Sequence, residues 1–222
     1  MKTYHRSSLS VIAFVFIFVS SANATLITIG TADYNNNSYN LIYDNDSPFG
    51  SIVWFDYTQR YIPNTWYDQM NWANGLNVPG VLTYHLNSGV NIVWTDDWRL
   101  PDSGVITGGA GGYNVTSSEM GHLYYTELNK VAGGPLGDAA PFNNILLDDP
   151  YWSITKLSEP NYAVAFVFRV DFQGGNPMNS HSHGIAVRPG ELVVDTAPEP
   201  STIILLGAGL AGLAVRRMTK ST

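Results

Sequence analysis

The pattern of apolar and polar positions changes period twice along the chain. Near the start, "LITIG" (26–30), "YNLIYD" (39–44) and "SIVWFDY" (51–57) are short runs of β-branched and aromatic residues divided by clusters of Asn and Asp. Such runs suit a pleated, half-buried surface, and Asn and Asp favour the turns between them. From residue 65 the apolar positions fall at helical spacing. Trp66, Met70, Ala73 and Leu76 mark one face, with Thr65 as N-cap and Asp68 three residues on. A second helical pattern opens at "TSSE", with Thr116 as cap and Glu119 returning to its amide. It buries Met120, Leu123, Tyr124 and Leu128 and stops at Gly133 and Gly134. "TDDWRLPDSG" and the glycine-rich "GVITGGAGGYN" lie between the helices and predict an ordered loop feeding a mobile one. The last third, "YWSIT", "YAVAFVFRVDF" and "HGIAVRP", returns to strands. The expected class is α+β, two helices packed on an irregular, mostly antiparallel sheet.

Two apolar runs stand apart from this pattern. Lys2 and Arg6 precede an uncharged run over 9–19, and Ala22 and Ala24 form an Ala-x-Ala end. A basic start, an apolar core and small residues at the end predict a signal peptide over 1–24, cut by signal peptidase after Ala24. At the other end, Pro198, Glu199 and Pro200 precede an apolar run over 203–215, then Arg216 and Arg217. That run is shorter than the roughly 20 residues a stable span needs, so a short transmembrane segment with its basic end in the cytoplasm is expected. The 198–222 segment resembles the PEP-CTERM sorting signal of Gram-negative bacteria. The resemblance implies a partner exosortase that removes the tail, and transient anchoring in the inner membrane. The cell surface, outer membrane or extracellular matrix would follow, often alongside exopolysaccharide.

The remaining body, 25–197, is long enough to bury a core. It carries six basic and seventeen acidic residues, a net charge of −11 against −7 for the whole chain. Such a surface repels nucleic acid and anionic lipid and attracts divalent cations. With no cysteine, the exported domain has no disulfide to lean on. All six Trp lie in the body, so the core is expected to be aromatic, with some rings left at the surface.

"NLIYDND", "MNWANGL", "DDWRLPDSG", "SEMGHLYYTEL", "PFNNI", "YWSIT" and "GIAVRPG" occur in this order. Together they resemble the DUF1566 family, the Lcl C-terminal domain, in the version carried by PEP-CTERM proteins. The resemblance implies a fold similar to C-type-lectin-like and formylglycine-generating-enzyme-like domains, and a role in adhesion to polysaccharide. The acidic body opposes sulfated glycans, and the cysteines of formylglycine-generating catalysis are missing.

Within "DWRLP", Trp98 and Leu100 are expected to enter the core, and Pro101 to hold Leu100 extended. Arg99 is expected to reach buried carbonyls or a carboxylate with its planar fork. Asp97, Trp152 and Arg188 join the same structural set. Asp44 and Asp46, and separately Asp96 and Asp97, offer hard oxygen ligands for calcium, although Asp is equally a turn residue and EF-hand spacing is missing. Glu119 and His122 stand at the E-x-x-H spacing of metal-binding helices, in one copy where di-iron bundles need two. His181 and His183 fall in a Gly, Asn and Ser-rich loop. No nucleophile elbow, phosphate loop or dinucleotide fingerprint occurs. The expectation is a non-catalytic polysaccharide- or surface-binding module with no cofactor beyond calcium. A glycan hydrolase working through a carboxylate pair is the alternative.

Overall fold

A computed structural model describes residues 26–60, 64–104, 111–132, 139–146 and 150–193. The signal-peptide residues Ala22 and Ala24 lie outside the described residues. So do Pro198, Glu199, Pro200, the 203–215 run, Arg216, Arg217 and the helix stop at Gly133 and Gly134. Among the described residues, no helix is long and apolar enough to cross a membrane.

The first three apolar runs form β1 (Ile27–Tyr34), β2 (Asn37–Asp44) and β3 (Ile52–Gln59). Asn35 and Asn36 join β1 to β2, both at positive φ (50° and 62°). That is the backbone of a tight hairpin turn, and Asn tolerates it better than most residues. α1 (Trp66–Gly75) opens on the expected capping box of Thr65 and Asp68. β4 (Thr83–Leu86) and β5 (Asn91–Trp94) follow, then the short β6 (Gly111–Gly112). α2 (Glu119–His122) runs directly into a π-helical turn, Leu123–Glu127. β7 (Pro150–Lys156), β8 (Tyr162–Val167), β9 (Phe172–Pro177) and β10 (Gly184–Val193) complete the fold.

The strands make two antiparallel sheets, β4-β1-β2-β3-β10-β5 and β6-β9-β8-β7. With two short helices this is an α+β architecture. β3 lies in the middle of the larger sheet and is buried on both faces. Its side chains alternate, so Ile52 and Trp54 face one core while Val53, Phe55 and Tyr57 face another. The first core joins β2 and β3 to Met120, Leu123 and Tyr124 of the second helix and to Phe166 and Phe168. It therefore locks the helix against the face of the large sheet made by β2, β3 and β10. A third core packs α1 on the smaller sheet through Trp66, Ala73, Trp152 and Ala165.

Three sequence expectations need correction. Ser118, not Thr116, caps α2, its side chain accepting from Gly121 N. Glu119 does not return to its own cap, because its carboxylate is taken by Arg99. "YAVAFVFRVDF" is not one strand. It folds back as the β8–β9 hairpin, with Asp171 at φ 55° in the turn.

Candidate functional site

Asp44 ends β2 on the Ile42 and Trp54 face of the sheet, where it meets the second helix. Its side chain is fully buried. Asp44 Oδ2 accepts from Trp54 Nε1 at 3.2 Å, and Oδ1 accepts from Asp46 N at 3.3 Å. The indole thus fixes the carboxylate, and the two-residue step sends Asp46 back over the same spot.

The helix brings the other two groups. In a regular α-helix, residues five apart point roughly 140° away from each other. His122 and Glu127 are five apart, yet His122 Nε2 lies 3.5 Å from Glu127 Oε1. The π turn accounts for this. Leu128 N donates to Leu123 O at 2.9 Å, the i to i+5 bond of a widened turn. The extra residue leaves Leu123 and Tyr124 in the core and swings Glu127 under His122. Gly121 permits the close approach at the helix start, since a Cβ there would lie 1.8 Å from Val115 O.

Asp44, Asp46, His122 and Glu127 can each offer one ligand atom, all within 4.8 Å of one another. His122 Nε2 is also 3.3 Å from Asp46 Oδ1. The Glu127 side chain is only 1% exposed, and its Oε1 has no hydrogen-bond partner. Burial, with the charges of Asp44 and Asp46 beside it, pushes the Glu127 carboxyl up to about 8. Burial also raises Asp44, partly offset by the Trp54 hydrogen bond. Three carboxylates this close oppose one another's ionisation unless a cation joins them.

The other residues singled out by sequence fall elsewhere. Trp98 and Leu100 are fully buried, in different cores. Arg99 pairs with Val187 in a two-way backbone bridge and reaches Glu119 with its guanidinium. Pro101 O accepts from Ile154 N. Trp152 is fully buried, and its Nε1 donates to Asn64 O at 3.4 Å. Arg188 stacks on Trp94 at 4.6 Å and donates to Asp96 O. Asp97 N donates to Asp96 Oδ1. Asp96 and Asp97 do not join the four-residue cluster. The E-x-x-H pair is split: Glu119 turns to Arg99 and His122 to Asp46. Glu127 escaped sequence reasoning, since its spacing from His122 carries meaning only once the π turn is formed.

Residues 196–217 match the model of the PEP-CTERM protein-sorting motif. This motif indicates an exported protein that is sorted by an exosortase and held transiently in the membrane. No curated protein and no solved structure matches the chain at a significant level.

Proposed function

We propose that this chain is a cell-surface or extracellular-matrix protein, delivered through its C-terminal tag, whose non-catalytic body binds a surface polysaccharide. The sorting-motif match at 196–217 carries the reading. The ordered motifs that resemble the DUF1566 family support the role of the body.

Exposed aromatic rings support it further. Tyr113 is 59% and Phe172 36% exposed, and they pack edge to face at 5.2 Å. Such rings stack on sugar faces, and a solvent-facing pair is a ready platform for one.

Delivery is tested in a host that has an exosortase. Intact-mass measurement of the surface fraction should show a chain without the segment from Ile203 onward. Replacing Pro198, Glu199 and Pro200 with alanine should hold the full-length chain in the inner membrane. A surface fraction that still carries the 203–222 segment would overturn processing. The same surface fraction applied to a glycan array tests the body, and silence across neutral and acidic polysaccharides would overturn the binding role.

A further inference from the structure

The four side chains around Asp44 come from two places that sequence keeps 75 residues or more apart, the end of β2 and the second helix. A folded domain gains nothing by burying a carboxylate with no donor, because each such group loses its hydration. One oxygen of Glu127, Oε1, is in that position. The Glu127 side chain is 1% exposed, its Oε1 has no hydrogen-bond partner, and it points at His122 and the two aspartates. Its place there depends on a π turn, a rare feature that recurs at functional sites.

We propose that Asp44, Asp46, His122 and Glu127 bind one divalent metal ion of the zinc class. The donor set decides the class, and the spacing is compatible with it. Ligand bonds of about 2.0–2.1 Å around a tetrahedral ion put neighbouring ligand atoms roughly 3.3–3.4 Å apart. His122 Nε2 lies 3.3 Å from Asp46 Oδ1 and 3.5 Å from Glu127 Oε1. Calcium takes six to eight oxygens, whereas this site presents one imidazole and three carboxylates. An imidazole nitrogen among few ligands suits zinc and its first-row neighbours. Trp54 Nε1 supplies the outer hydrogen bond that orients Asp44. The ion would tie the helix carrying Met120, Leu123 and Tyr124 to the end of β2. It would be a structural clamp in a chain without disulfides.

The experiment uses the full chain, stripped with a chelator and titrated with zinc chloride in a calorimeter, with metal content measured by mass spectrometry after dialysis. One zinc per chain and a higher melting temperature with zinc are expected. Glu127→Gln keeps the side-chain shape and should weaken zinc binding by more than about tenfold, at least the loss seen for outer-shell partners. Asp46→Asn, at a half-exposed loop position, should do the same. Asp96→Asn should bind as the parent does. No heat and no retained zinc in the parent chain would overturn the site, as would equal affinity in the parent and Asp46→Asn. Tighter binding of calcium than of zinc would overturn the metal class.

Discussion

Arg99 and Glu119 meet in a two-pronged ion pair, Nη1 to Oε2 at 2.8 Å and Nη2 to Oε1 at 2.7 Å. Glu119 is fully buried and also accepts from Asp102 N at 2.6 Å. Through this pair the strand-like "DWRLP" segment, bridged to Val187 of β10, holds the first residue of α2.

Arg99→Ala should therefore cost about 3–5 kcal/mol, the usual loss when one partner of a buried pair is removed. Arg99→Lys should recover only part of it, since one ammonium cannot fill both prongs of the fork. Replacing both residues by apolar ones, Arg99→Met with Glu119→Leu, should destabilise less than Arg99→Ala alone. Urea midpoints of the three variants check the order. A double variant weaker than Arg99→Ala would show that the pair does more than neutralise Glu119.

Trp98→Ala should cost about 3–5 kcal/mol, through lost burial and the cavity left behind. The indole is fully buried among Phe55 and Trp94, and its Nε1 donates to Tyr84 OH at 2.8 Å. Trp98→Phe keeps most of the ring and loses the bond, so it should cost about 1 kcal/mol for the hydrogen bond plus a smaller packing loss. Thermal melting decides. An unchanged melting temperature in Trp98→Ala, with lost glycan binding, would make Trp98 a ligand residue.

Sequence carried the strands best where burial is one-sided or complete over several residues, as in 39–44 and 51–57. It failed where an element is short or its composition is unlike its state. β4 and β5 have four residues each, and only every second one turns inward. β9 contains two Gly and ends at Pro177, a poor strand former by composition, yet it pairs along its length with β8. The candidate site was half legible. Asp44 and Asp46 stand out as a turn rich in oxygen ligands, but nothing in the sequence ties them to His122, which the helix brings in from 76 residues away. Glu127 was hidden because helical periodicity assumes 3.6 residues per turn, and the π turn breaks that assumption at the residue that matters.

Asp56 supplies a pH-dependent element of stability. It is fully buried and accepts from Asn143 N at 2.9 Å, Asn144 N at 3.0 Å and Asn144 Nδ2 at 3.2 Å. These bonds pin residues 143 and 144 against β3, where they line a cavity of about 150 Å³ with Tyr39, Tyr57 and Arg60. Burial raises the Asp56 carboxyl above its ordinary 3.8, and the three donors offset this only in part. The folded chain therefore holds this proton at a pH where the unfolded chain has released it. Its contribution to stability is fully present below 3.8 and is lost as pH rises through the folded value. Asp56→Asn is neutral throughout, so the variant should lose that slope; its NH2 faces the backbone N–H of Asn143 or Asn144 where an acceptor stood, so it should also cost about 1–3 kcal/mol at every pH. Asp56→Ala leaves two backbone N–H groups without an acceptor and should cost about 1–3 kcal/mol. Urea unfolding at a series of points between roughly pH 3.5 and 6.5, spanning the ordinary carboxylate range, measures both effects. If the parent chain and Asp56→Asn show the same slope, the proton is not held at Asp56.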